Sequence, residues 1–122
     1  MKASLRGPRE FQRVYRNGSR YHTSSMTAFV LSNDLPYHRL GITASRKAVG
    51  KAVQRNRAKR VLRETFRLSK TSLSKLGNHY DWVLNANSRL VTSNTAEAII
   101  EFEGIIQGVA QREAEDSRLL TA

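Results

Sequence analysis

Residues 53–68 constrain this chain more than any other segment. Ala58, Val61, Leu62, Thr65, Phe66 and Leu68 recur at helical spacing and gather on one side, while Asn56, Lys59, Arg60, Arg63 and Arg67 gather on the other. Arg55 and Arg57 fall near the two borders of the apolar stripe. A helix of this kind must bury its apolar side against a core and leave a cationic side outside. Arg55, Lys59, Arg63 and Arg67 also stand four residues apart, and each like-charged step opposes the helix by roughly a few tenths of a kcal/mol. Solvated helix faces ordinarily alternate signs, because opposite charges at this spacing support the helix. A ladder of one sign is accounted for by a polyanion that lies along it and reverses the sign of that term.

The charge of the whole chain points the same way. Its 122 residues carry 21 Lys and Arg against 10 Asp and Glu, for a net +11 and a pI near 10.9. Residues 46–67 hold nine of those cations and one acid, Glu64. From Ser93 onward the balance reverses, so a basic middle is joined to an acidic last segment. A charge of this size repels itself in a compact fold unless a polyanion neutralises it. There is no cysteine, which excludes disulfides, thiolate catalysis and Cys-based zinc sites and suits a reducing compartment. No signal-like N-terminal segment and no membrane-length apolar run stand out, so the expectation is a soluble cytoplasmic protein with no membrane partner.

The length suits one domain, expected over residues 1–112 with residues 113–122 as a disordered, frayed tail. A short amphipathic helix is expected over residues 8–17, with Pro8 at its first turn, Gly18 after its end, and Phe11, Val14 and Tyr15 on one face. Strands are expected at residues 26–32, 39–45 and 80–86, with a short edge strand at 19–23. Alternation puts Thr27 and Phe29 on one face of their strand and Ala28 and Val30 on the other. Residues 70–78 read as a polar loop, and Asn94 with Glu97 reads as a capping box for a helix ending near Gln111, weakened by Gly104 and Gly108. This order of elements indicates an α+β domain with helices packed on a mixed sheet.

Arginine's predominance favours phosphate, which its planar fork binds bidentately. Phe11, Tyr15 and Phe29 are candidates to stack unpaired bases, although pattern alone favours plain core packing for them. No catalytic constellation is evident: His22, His38 and His79 lie far apart in sequence, Asp81 is a lone carboxylate beside Trp82, and no metal-ligand spacing occurs. Glu64 reads as a salt-bridge partner on its own helix, with Arg60 and Arg63 in reach. A structured-RNA binder such as a ribosomal protein fits these features, and a helix-turn-helix DNA binder fits less well, since no second short helix is expected before the basic one.

The residues from Ser45 to Glu64, Ser-Arg-Lys-Ala-Val-Gly-Lys-Ala-Val-Gln-Arg-Asn-Arg-Ala-Lys-Arg-Val-Leu-Arg-Glu, closely resemble the signature of the bacterial ribonuclease P protein family. Phe11-Gln12-Arg13-Val14-Tyr15 resembles that family's N-terminal helix, Arg39-Leu40-Gly41-Ile42 its strand before the motif, and Tyr80-Asp81-Trp82-Val83 its late strand. A departure is Asn87, where the family often has a basic residue followed by Pro. The resemblance implies a four-stranded mixed sheet packed with helices, like the second domain of ribosomal protein S5, with a left-handed βαβ crossover into the Arg-Asn-Arg helix. It implies a ribonucleoprotein that removes the 5′ leader from precursor tRNA, with the RNA subunit as catalyst and Mg(2+) used by the assembly. No cofactor bound by the protein is expected, and the protein is expected to be monomeric apart from its RNA partner. Carried over, Arg46, Lys47, Lys51, Arg55, Asn56, Arg57, Lys59, Arg60, Arg63 and Arg67 would contact RNA. Phe11, Tyr15, Thr27 and Phe29 would line a cleft for the leader.

Overall fold

A computed structural model describes residues 4–121. Helix α1 (Gly7–Asn17) leads into strands β1 (Ser19–His22), β2 (Met26–Ser32) and β3 (Arg39–Thr43). Helices α2 (Arg46–Val49), α3 (Ala52–Leu68) and α4 (Lys70–Ser74) follow, then β4 (Tyr80–Ala86) and, after a 3-10 turn at Ser88–Val91, the long helix α5 (Thr95–Thr121). The sheet order is β1-β2-β4-β3: β4 pairs antiparallel with β2 and parallel with β3. The β3-to-β4 connection is therefore a crossover carrying α2, α3 and α4, and the fold is the expected α+β architecture with a four-stranded mixed sheet.

Register divides the sheet into two unlike faces. Met26, Ala28, Val30, Leu40, Trp82, Leu84 and Ala86 point to one side, where they pack with Ala58, Val61 and Leu62 of α3 and Phe102, Ile105, Ile106 and Val109 of α5. Trp82 is the centre of that core, edge-on to Phe66 and Phe102. The opposite face holds a smaller cluster of Leu5, Val14 and Val83, with Phe11, Phe29 and Leu31 against it. Among the described residues, α1 packs on this second face together with Leu5, just before the helix. Gly18 lets α1 turn tightly into β1, because a Cβ there would stand 2.6 Å from the Val14 carbonyl and 2.9 Å from that of Val30.

Several expectations change. Residues 70–78 are not all loop: Leu73 is buried against the core, and that anchor winds Lys70–Ser74 into α4. Ser45, expected as the end of a strand, is the N-cap of α2, its hydroxyl accepting from the Ala48 amide at 3.0 Å. Leu68 is half exposed and Ser69 is buried in its place, because the helix ends there and turns away from the core. The last helix does not stop near Gln111. It continues past the two glycines, and Gly108 has a packing reason, since a Cβ would meet the Tyr21 ring at 3.0 Å.

The expected disorder after residue 112 is corrected for the same stretch, because Glu113 receives the amides of Gly77 and Asn78 at 2.8 and 3.0 Å and the Tyr80 hydroxyl. The capping box is half formed. Asn94 Oδ1 accepts the Glu97 amide at 2.9 Å, while the Glu97 carboxylate receives Ser93 Oγ.

Candidate nucleic-acid interface

The cationic side of α3 is built by its own apolar stripe. Ala58, Val61, Leu62 and Thr65 are buried, which turns Asn56, Arg60, Arg63 and Arg67 outward and leaves Arg55 and Lys59 half-buried at the border. Arg46, Lys47 and Lys51 extend the charged surface from α2, all of them exposed. Gly50 joins the two helices at φ +111°, a region that strains other residues, and a Cβ there would press on Gln54 Oε1, which instead accepts the Lys51 amide. Val53 is 80% exposed on this surface, an apolar side chain among cations.

Two members of the predicted set already have partners. Arg57 donates to the Val91 and Ser93 carbonyls at 2.7 and 3.2 Å, tying α3 to the turn before α5. Arg67 pairs with Glu64, so the helix salt bridge forms three residues along rather than with Arg60 or Arg63. That contact holds the Glu64 carboxyl below its usual range.

The predicted aromatic residues occupy two stations on the α1-covered face. Phe11 lies over Gly41 of β3, so close that a Cβ there would meet the ring at 2.6 Å. It shares a groove at the β3 edge with Lys59 and Arg63, which joins this station to the basic helix. Tyr15, 37% exposed, stands edge-on to Phe29 at 4.8 Å over the middle of the sheet. Beneath them runs a polar row at one register level: His22 of β1, Thr27 of β2, Asn85 of β4 and Thr43 of β3. Thr27 is buried, with its hydroxyl 2.9 Å from His22 Nδ1. Asn85 Oδ1 receives Tyr15 Oη at 3.0 Å and Thr43 Oγ1 at 2.6 Å.

Two levels further along the same face of the sheet is a cluster that local spacing does not reveal. Asp81 is fully buried and takes both ends of the Arg39 guanidinium, Nε at 2.8 Å and Nη2 at 2.7 Å, plus the Asn33 amide at 2.9 Å. Arg39 also donates to Glu10 at 2.7 Å, binding α1 to the sheet. Burial opposes ionisation of Asp81, but Arg39, Asn33 and the Arg13 charge together hold its carboxyl below the ordinary range. The hydrogen bond to Asp81 raises the Arg39 pKa still further.

His38 and His79, distant in sequence, have ring centroids 5.0 Å apart. His38 Nδ1 faces two donors, the Tyr80 amide at 3.0 Å and Trp82 Nε1 at 3.1 Å, so it is the unprotonated acceptor. The proton then sits on Nε2 and points at the Leu73 carbonyl, 3.3 Å away. Burial lowers the His38 pKa, and this arrangement employs the ring in packing.

Among the described residues, no three His, Asp or Glu side chains gather where they could hold a metal. The carboxylates of Glu10, Glu64 and Asp81 are paired with arginines, and Glu101 caps Ser24 and Ser25. No helix among the described residues is long and apolar enough to cross a membrane.

The family model described as Ribonuclease P matches residues 1–109. The chain belongs to the ribonuclease P protein family. It is 46% identical over 66 residues to the ribonuclease P protein component of Syntrophus aciditrophicus, covering 54% of this chain and 55% of that relative. The match therefore spans about half of that relative's length. With the corresponding component of Clostridium kluyveri it shares 34% identity over 102 residues, 79% of this chain and 89% of the relative. The solved structure of the Staphylococcus aureus RNase P protein superposes with a TM-score of 0.73 at 25% identity, over 86% of this chain and 93% of that one. Family membership agrees with the α+β sheet and with the motif running from α2 into α3. The Asp81–Arg39 cluster was missed in sequence because its partners are 42 residues apart. The parallel register of β3 and β4 could have suggested it, since Arg39 stands opposite Asp81.

Proposed function

We propose that this chain is the protein subunit of a ribonucleoprotein that cuts the 5′ leader from precursor tRNA in the cytoplasm. In this reading the α2–α3 surface, with Arg46, Lys47, Lys51, Arg55, Asn56, Lys59, Arg60 and Arg63, binds the catalytic RNA. Arg57 holds the turn before α5 with two of its donors and offers the rest to RNA, and Arg67 sits at the end of the surface. The leader enters the cleft formed by Phe11, Tyr15, Thr27 and Phe29. The observation that carries the reading is the groove in which Phe11 meets Lys59 and Arg63, because it sets one of the cleft aromatics beside the cationic helix.

Single-stranded RNA is bound by such a combination: cations track the backbone while aromatic faces stack bases. The chain supplies position and charge. Magnesium, which the assembly uses, is assigned to RNA phosphates, since the carboxylates nearest the basic helix and the cleft, Glu10, Glu64 and Asp81, are paired with arginines. Catalysis is likewise assigned to the RNA subunit, and the protein acts as a monomer. Reconstitution with a ribonuclease P RNA at low magnesium tests the proposal. Adding the protein should restore cleavage of precursor tRNA, and unchanged cleavage would refute it.

A further inference from the structure

Beyond Arg63 the cationic ladder of α3 runs into a second cavity, of about 410 Å³, with mostly apolar walls. That volume lies within the roughly 300–1,000 Å³ of small-ligand sites. The two cavities follow one another along α3 and β3. Lys59 and Arg63 share the first with Leu40, Gly41 and Ile42, and Arg67, one turn on, shares the second with Tyr37 and His38. Tyr37, 43% exposed, lines this second cavity, and Phe66, His38 and His79 supply further ring surface. The Tyr37 backbone is held in place, since its carbonyl accepts Asn33 Nδ2 at 3.2 Å and the same amide is tied to Asp81. Both ring nitrogens of His38 are engaged within the protein, so it offers only its ring. Arg67 neutralises Glu64, which leaves Lys70, exposed and unpaired among the described residues, as the net cation of the cavity lining.

We propose that this cavity takes up an unpaired base of the RNA subunit, with Tyr37 as its stacking platform and Lys70 on the adjoining phosphate. The inference rests on the reading that the α2–α3 surface binds the RNA subunit, and it adds a base-binding site at the far end of that surface. An RNA backbone laid along Arg55, Lys59 and Arg63 is led past Arg67 to the cavity by the line of the helix. There, aromatic rings and a free cation meet both halves of a nucleotide, its base and its phosphate. An apolar peptide would satisfy the rings but leave Lys70 without an anion. The leader is assigned elsewhere. His38, edge-on to Trp82 at 5.9 Å, stands on the core side of the sheet, whereas Tyr15 and Phe29 stand on the other.

The test measures the affinity of the full chain for a ribonuclease P RNA, without tRNA, over a range of salt. Tyr37→Ala should weaken binding by roughly fivefold or more, the worth of one stacked base, with the salt slope unchanged. Tyr37→Phe keeps the ring and should keep wild-type affinity, which separates stacking from a role of the hydroxyl. Tyr37→Leu, with apolar bulk but no ring, takes the place of Tyr37→Ala should the latter fold poorly in thermal unfolding. Lys70→Ala should lower the salt slope by about 0.7–0.9, one phosphate contact. Arg60→Ala is the control for the helix surface. If it weakens binding while loss of the Tyr37 ring does not, the inference alone is overturned, whatever Lys70→Ala does. The inference also falls if Tyr37→Phe loses as much as Tyr37→Ala, or if the loss appears only with precursor tRNA, which would put the leader in the cavity. If none of the alanine variants weakens binding, the reading of the α2–α3 surface falls and takes this one with it.

Discussion

Asp81 and His38 illustrate how single side chains fix the scaffold on which the basic helix and the cleft depend. The Asp81 carboxylate, with 1% of its side chain exposed, is matched to Arg39 with 18%. Removing one member of such a pair leaves a desolvated charge, and Glu10 remains to compensate only part of it. Asp81→Asn should therefore lower unfolding free energy by about 2–3 kcal/mol, measured in urea, and a loss below about 1 kcal/mol would contradict this role. His38 makes a pH-dependent contribution of determinable sign. Its pKa is lower when folded than the ordinary 6.5, so the unfolded chain binds the proton more readily. Stability is then fully present above about pH 6.5 and declines as pH falls below it towards the folded value. His38→Asn, whose Oδ1 can accept the same two donors, should flatten that part of the stability–pH curve. A curve that keeps its slope would assign the dependence to another group. Neither residue was legible beforehand, because each gains its meaning from partners that only the sheet brings near.

Periodic elements were more readable than irregular ones. Helix α3 and strands β2 and β4 fall where spacing put them, because each has an uninterrupted apolar pattern that only one backbone period satisfies. Helix α4 and the far end of α5 were not legible, since Leu73 is a single anchor in a polar stretch and the Glu113 contacts are long-range. Two acidic residues of α5 have structural work: Glu101 caps the β1–β2 turn and Glu113 fastens the loop before β4. Among the cations of α3, Arg60 is exposed and stands clear of the ion pair made by Arg67. Arg60→Ala should leave stability unchanged within roughly 0.5 kcal/mol while reducing the salt slope of RNA binding by about 0.7–0.9. An unchanged slope would remove Arg60 from the phosphate contacts.

At the scale of the whole molecule, the sheet separates two tasks. One face is filled by α3 and α5 around Trp82, which stabilises the domain and orients the basic helix. The other, among the described residues, is covered by α1 and Leu5 and has polar groups at its floor. The like-charged ladder that is unfavourable in an isolated helix is tolerated because core packing holds α3 in place, and an RNA backbone would turn that repulsion into affinity. Charge, helix and motif were visible in the sequence. The groove linking Phe11 to Lys59 and Arg63 was not, because it exists only where α1 and α3 meet at the β3 edge. The most direct test is the affinity of the ribonucleoprotein for precursor and for mature tRNA, each measured with and without this protein. The account predicts that the protein raises affinity for the precursor and leaves mature tRNA unchanged; an equal gain for both would contradict a leader-binding cleft.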